Sequence, residues 1–210
     1  MNASPYFIGI TGNIGAGKTR LTEVLSEKLG WEAFYEPVVA NPYLKDFYAD
    51  MARYAFHLQI FFLSQRFRAM QHRLSAGRPL IQDRTLYEDG EVFAPTLYEL
   101  GMLTDRDFEN YHALYEALLS TVRPPDRILH LTAPPEVLLE RIRRRDRAYE
   151  RHIDAAYLER LERRYDNWIA RIEGTIPVRR IDTSALDLSG SDGALGSLIR
   201  DLERESGEGR

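Results

Sequence analysis

The stretch Gly12-Asn13-Ile14-Gly15-Ala16-Gly17-Lys18-Thr19 has the spacing G-x-x-x-x-G-K-[ST], and it constrains this chain more than any other segment. An apolar run of strand length, Tyr6 to Ile10, precedes it. Leu21, Val24, Leu25 and Leu29 follow at helical spacing, with Gly30 as a stop signal. Strand, glycine-rich turn and helix in that order are the setting of a phosphate-binding loop; a chance glycine-rich turn is the plainer alternative. Glycines let backbone N–H groups close around a phosphate, and the N-terminus of the new helix adds a favourable dipole. Lys18 supplies a point charge for the terminal phosphates of a nucleotide, and Thr19 a hydroxyl ligand for magnesium.

Short apolar runs then alternate with longer helical patterns. Strands are expected at Trp31 to Glu36, Pro79 to Gln82, Arg127 to Leu131 and Val178 to Ile181. Helices are expected at Met51 to Leu74, Leu86 to Leu103 (interrupted by Pro95 and Gly101), Asp105 to Val122, Thr132 to Arg147 and Ala155 to Ile172. Asn41 to Asp50 and Ser184 to Gly196 read as loops, and a short helix leads into a polar tail from Glu203 to Arg210. Strands separated by such helices imply an α/β fold with a parallel sheet covered on both faces. No repeat or domain boundary is visible, so residues 1–210 read as one domain.

Of the 210 residues, 44% are hydrophobic, which suffices for a substantial core. The formal net charge of −4 gives no bulk attraction to nucleic acid, so no nucleic-acid partner is expected. Cysteine is absent, which excludes disulfides and thiolate metal sites. No apolar run approaches the ~20 residues that span a bilayer, and no signal peptide is visible. A cytoplasmic protein without a membrane partner is the expectation.

In open α/β sheets ligands gather at the carboxyl ends of the strands. Glu36 follows the second strand and precedes Pro37; it reads as a general base near an accepting hydroxyl, or as a solvated strand-end carboxylate. Asp83 ends the third strand, where it can hold magnesium opposite Thr19, and Arg84 aims a planar donor fork into the same cleft. A strand-end salt bridge is the alternative for that pair. Gln59 and Arg66 are seven residues apart on one helix, sharing a face about 10 Å apart along the axis. The Gln59 amide suits an adenine or cytosine edge, and equally a core amide bonded to backbone. Arg141, Arg144, Arg145 and Arg147 gather at a helix end, as a solvated cationic face or as cations for transferred phosphates. Glu150 follows in a polar stretch suited to a mobile lid, about residues 141–153. His57, His72, His112, His130 and His152 show no metal-ligand grouping and read as structural or surface residues.

Together, GNIGAGKT, EPVVANPYL, YAFHLQIFFLSQRFR, QDRTLYED, the Arg141–Glu150 run and RYDNWI resemble the deoxynucleoside kinase family, its bacterial deoxyadenosine and deoxyguanosine members most. The resemblance covers about Phe7 to Ile181. It implies a P-loop three-layer sandwich with a five-stranded parallel sheet, an arginine lid and a homodimer made by helices. It implies ATP- and Mg2+-dependent phosphorylation of a deoxyribonucleoside 5′-hydroxyl. Glu36 is then the base, and Arg84 positions Glu36 and the phosphoryl group. Gln59 holds the nucleobase, with Arg66 and Asp89 completing its polar edge. Tyr48 and Glu150 bind the sugar 3′-hydroxyl; Arg141, Arg145 and Arg147 cover the donor phosphates; Asp182 begins the stretch near the donor base. An ionised Asp89 accepts an exocyclic amine, which favours adenine or cytosine over thymine. Deoxyadenosine is therefore expected first, with deoxycytidine or deoxyguanosine second. Three positions depart from the pattern: Asp83 replaces the glutamate of animal relatives, Asp146 a common glycine between lid arginines, and Arg20 a small hydroxyl residue.

Two rivals remain. A nucleoside-monophosphate kinase shares the loop and the strand-end Asp-Arg pair, but Glu36 repels an acceptor phosphate. A nucleotide-dependent switch without catalysis is the other; the guanine-reading Asn-Lys-x-Asp motif is absent.

Overall fold

The computed structural model describes residues 5–35, 41–74, 77–184, 186 and 193–208, without the side chains of 72–74 and 208. Five strands, β1 (Phe7–Gly12), β2 (Glu32–Phe34), β3 (Leu80–Asp83), β4 (Arg127–Thr132) and β5 (Val178–Asp182), form one sheet in the order β2-β3-β1-β4-β5. Every pairing is parallel. β1 lies at the centre and is buried at all its positions, so it reads as a continuous apolar run. From β1 the chain crosses to β3 and β2 on one side and later to β4 and β5 on the other. The phosphate loop thus leaves the sheet at the switch point, where such folds bind ligands.

Three helices follow the expected bounds closely. α1 (Lys18–Leu29) ends at Gly30, whose φ is 67°. Between it and the long α3 (Met51–Leu74), the stretch expected to be irregular contains a short helix, α2 (Leu44–Ala49). Asn41 Oδ1 accepts from the Tyr43 N–H at 2.9 Å and turns the chain, and Leu44 and Phe47 bury against α3. Later in the chain, α8 (Ala155–Ile172) matches its expected span. Asp154 caps it by accepting from Tyr157 N–H at 2.8 Å, and Leu158, Leu161, Tyr165, Trp168 and Ile169 form one buried stripe.

The expected helix from Leu86 to Leu103 is three pieces: α4 (Leu86–Glu88), a π-turn (Asp89–Phe93) and α5 (Ala94–Glu99). Pro95 stands at the second position of α5, just where the π-turn ends, so the change of helical register falls at the proline. Next come α6 (Asp105–Leu119), which buries Tyr111 and Tyr115, and α7 (Pro135–Arg145). α7 is shorter at both ends than expected because Thr132 completes β4 and Asp146 turns left-handed at φ 46°. A 3-10 turn, Ala148–Glu150, leads towards α8.

The loop-and-tail expectation for the C-terminus is corrected by α9 (Gly193–Glu208), which takes in most of the predicted tail. Leu195, Leu198 and Leu202 recur at helical spacing and bury in the core cluster that holds Leu21 and Leu25 of α1. Among the described residues no helix is long and apolar enough to cross a membrane.

Candidate active site

The site begins with the backbone of the loop after β1. At Gly12, φ is 141°, and a Cβ there would lie 2.4 Å from the Leu131 carbonyl oxygen. Gly17 takes φ 95° as the N-cap of α1. Both positions demand glycine, one for approach and both for conformation. Lys18 reaches back across the loop and donates to the carbonyls of Gly12 at 2.7 Å and Asn13 at 2.9 Å. Thr19 donates its hydroxyl to Asp83 Oδ2 at 2.6 Å, joining the start of α1 to the end of β3. This pair offers only oxygen donors, the set a hard cation such as Mg2+ takes. Asn13 is different: its side-chain amide donates to Leu158 O at 2.8 Å and to Glu162 Oε2 at 2.9 Å. It anchors the loop to α8 and leaves only its backbone for a phosphate.

Arg84 sits directly after β3 with φ 67°, a left-handed conformation rare for an arginine. Its guanidinium lies 4.3 Å from the centre of the Phe93 ring. Behind it is Glu88, fully buried, which sequence reading passed over. Glu88 accepts from Thr85 N–H at 2.7 Å and from the Tyr165 hydroxyl at 2.7 Å. Gly12 N–H stands 3.5 Å away and Arg84 Nε 3.9 Å. Burial raises its carboxyl above the usual range, while the charges of Arg84 and Lys18 pull it back. The signal was present as Thr85-x-x-Glu88, a capping box that opens α4.

A cleft of about 640 Å³ opens above these residues. Gly15, Gly17, Lys18, Thr19, Asp83 and Arg84 line it at one end. Gln59, Arg66 and Asp89 line it as well, and so do Tyr48, Arg141, Arg145, Arg147 and Glu150. Arg66 and Asp89, both essentially inaccessible, form an ion pair, with the guanidinium 4.8 Å from the Phe62 ring centre. The π-turn places Asp89 at its first position. Gln59 is 3% exposed, and its Oε1 has no hydrogen-bond partner among the described residues. That favours an amide presented to a ligand over one bonded to backbone.

The arginine-rich end is ordered by specific contacts. Arg145 donates through Nε and Nη2 to Glu150, both at 2.8 Å, and Arg147 Nη1 lies 3.5 Å from the same carboxylate. Arg141 donates to Thr183 Oγ1 at 2.9 Å and Thr183 O at 2.7 Å, and Thr183 in turn donates to Ala16 O at 3.0 Å. Tyr48 stacks on Tyr149 with ring centres 5.7 Å apart, and burial pushes its phenol pKa up. Asp146 takes the left-handed C-cap of α7, which explains why glycine suits this position; its carboxylate pairs with Arg151 at 2.9 Å, outside the cleft. Arg20 pairs with Glu23 and lines the rim.

Not every expected residue is in the cleft wall. Gly12, Asn13 and Ala16 lie beneath it, Ile14 lines it, and Asp182 is exposed at the end of β5, accepting from Ser184 N–H at 2.8 Å. The Ser184 hydroxyl, donating to the same oxygen at 2.6 Å, and then that N–H lower the Asp182 pKa. Glu36 and Pro37 lie outside the described residues. Tyr149 and Tyr157, unremarked in the sequence, line the cleft beside Tyr48.

A phosphate loop, a Thr–Asp oxygen pair and an arginine-rich flap around one cleft define a P-loop phosphotransferase. The chain belongs to the deoxynucleoside kinase family: the family model matches residues 8–204. A deoxyadenosine kinase of Dictyostelium discoideum is 44% identical over 177 residues, which are 84% of this chain and 72% of that protein. A deoxyadenosine/deoxycytidine kinase of Bacillus subtilis is 34% identical, with coverage of 91% and 89%. Among solved structures, the deoxyadenosine kinase from M. mycoides with dCMP and dCDP bound has a TM-score of 0.83 at 29% identity, covering 94% of this chain and 99% of that one. The same enzyme has also been solved with bound dATP.

Proposed function

We propose that this chain transfers the terminal phosphoryl group of ATP to the 5′-hydroxyl of a deoxyribonucleoside, deoxyadenosine first and deoxycytidine or deoxyguanosine second. The observation that carries the reading is the cleft itself. The buried Gln59 amide with an open acceptor and the Arg66–Asp89 pair share one cavity with Lys18 and Thr19. The relatives named for deoxyadenosine support the ranking, and a 34% identical deoxyguanosine kinase of Bacillus subtilis keeps deoxyguanosine second.

In this mechanism the loop N–H groups and Lys18 hold the donor phosphates. Arg141 and Arg147 add charge where it develops in the transition state. Arg145 is bidentate to Glu150, so donor phosphates compete with that carboxylate for the guanidinium fork. Thr19 and Asp83 would hold Mg2+, which supplies charge neutralisation on the phosphates when bound. Gln59 and Asp89 orient the base, Tyr48 and Glu150 the sugar, and Glu36 takes the proton from the attacking 5′-hydroxyl. Arg84 positions Glu36 and the phosphoryl group. Positioning and charge therefore carry most of the rate enhancement. Asp182 stands towards the donor base. A cytoplasmic homodimer completes the assignment; α6, with Leu114 41% exposed, is the face we assign to it.

The test is a panel of all deoxyribonucleosides and ribonucleosides with ATP and Mg2+, compared by kcat/KM and set against nucleoside monophosphates. Deoxyadenosine should lead. A preference for thymidine overturns the Asp89 argument, and monophosphates as the better acceptors overturn the class. Glu36→Gln should retain nucleoside binding and lose turnover; near-normal turnover removes Glu36 from the reaction.

A further inference from the structure

Outside the cleft, β4 and α8 bring His130, Glu162 and Asp166 together. One ring nitrogen of His130 and one carboxylate oxygen from each acid lie within 4.8 Å of one another. Glu162 and Asp166 are four residues apart on α8 and so share a helix face. None of the three lines the cleft, so the cluster is separate from the Thr19–Asp83 pair.

Two carboxylates near a histidine are common without an ion. The imidazole distinguishes this cluster. His130 is fully buried, and its Nδ1 stands 3.1 Å from Thr11 Oγ1 on the neighbouring strand. Its Nε2 is also buried and has no hydrogen-bond partner among the described residues. A buried ring nitrogen left in that state calls for an explanation. In the tautomer whose Nδ1–H donates to the Thr11 hydroxyl, Nε2 carries the lone pair, the arrangement by which an outer contact orients a metal-binding histidine. On the far side, Asp166 is exposed and gives access to water.

The geometry points to a second cation site, built from His130 Nε2, Glu162 and Asp166, for a divalent transition metal of the zinc or cobalt class. One nitrogen and two oxygens favour such ions over Mg2+, which takes oxygen donors almost alone. Ligands about 2.1 Å from a tetrahedral ion lie about 3.4 Å apart, so the cluster closes by at most about 1.4 Å on binding. Water from the exposed side fills the remaining position.

Two neighbouring side chains, Arg180 and Asn13, bear on the site. Arg180 Nη1 lies 3.7 Å from Asp166 Oδ1 while its Nε bonds Glu173 at 2.9 Å, so a metal displaces only the longer of these contacts. Glu162 Oε2 accepts from Asn13 of the phosphate loop. Metal at this site therefore competes with, or shares, the carboxylate that anchors the loop, so occupancy alters nucleotide affinity from behind the cleft.

The test uses the full-length, untagged chain, stripped with EDTA, without nucleotide, titrated with Zn2+ by calorimetry and with Co2+ by visible absorption. One saturable equivalent is expected, with a Co2+ ligand-field band that His130→Gln abolishes. Asp166→Asn and Glu162→Gln should each weaken Zn2+ binding at least tenfold, whereas Asp83→Asn should leave it unchanged. Absence of a saturable equivalent, or an affinity in Asp166→Asn and Glu162→Gln equal to the parent's, overturns the site. If His130→Gln does not fold, Asp166→Asn decides alone, since that position is exposed.

Discussion

Replacing Asp89 with Asn removes one charge from a pair that water hardly reaches. Arg66 has a fully buried side chain, and that of Asp89 is 2% exposed. The guanidinium keeps its charge and its packing on Phe62, but the anion beside it becomes a neutral amide of the same size. Breaking a buried pair from one side costs about 3–5 kcal/mol, because the remaining charge stays desolvated. For a chain of this length each kcal/mol moves Tm by about 2–4 °C, so a fall of roughly 6–20 °C is expected. The same change turns an acceptor-only group into one that also donates, against an exocyclic amine. A charge-assisted hydrogen bond of about 1.5–3 kcal/mol corresponds to a loss of about 10- to 100-fold in kcat/KM for deoxyadenosine. Thymidine, which offers no amine, should lose much less. Calorimetry measures the first effect and paired kinetics the second. A Tm within about 2 °C of the parent, or an unchanged ratio of deoxyadenosine to thymidine, refutes the reasoning.

Three further perturbations bear on other parts of the site. Lys18→Met should retain the fold and lose on the order of 10²–10³-fold in turnover, read in a steady-state ATP assay, since one preorganised cation at the phosphates is gone. Gly12→Ala must resolve a 2.4 Å approach to the Leu131 carbonyl at φ 141°, costing about 2–4 kcal/mol in chemical denaturation. Glu88 gives a pH signature. Its folded pKa is raised, so as pH climbs from the unfolded value of 4.5 the unfolded chain releases this proton first and the native state loses stability. Glu88→Gln cannot titrate, so its stability deficit against the parent should narrow from about pH 4 to about pH 7. A constant deficit across that range shows that Glu88 titrates alike in both states.

The strands, the loop and α8 were legible because each depends on a local pattern. Strand-length runs between helical patterns, one glycine spacing and one amphipathic stripe suffice for them. The π-turn was not, because Asp89–Phe93 continues a helical composition and only the pairing of Asp89 with Arg66 reveals where the turn widens. α9 reads as only a short helix because its leucines are sparse among Gly, Ser and acidic residues; its full span, Gly193–Glu208, rests on their burial against α1. Within the site, residue types at strand ends were readable, whereas Gln59 needed tertiary structure. Only burial of its unpartnered Oε1 separates an amide offered to a ligand from one spent on the core.

Glu88 shows why a site of loops and strand ends can nonetheless be rigid. Its carboxylate touches the N–H where α4 starts, the Tyr165 hydroxyl of α8, and the neighbourhoods of Gly12 and Arg84. Arg84 is held in a conformation that costs about 1–3 kcal/mol when unsupported. The phosphate loop and Arg84 are thus referenced to one buried carboxyl group rather than to each other. Loop and arginine therefore shift together if Glu88 moves. A Glu88→Gln variant that retains Tm at pH 7 yet loses kcat with little change in either KM would locate its contribution in alignment, whereas parallel loss of Tm and kcat would assign it to the core.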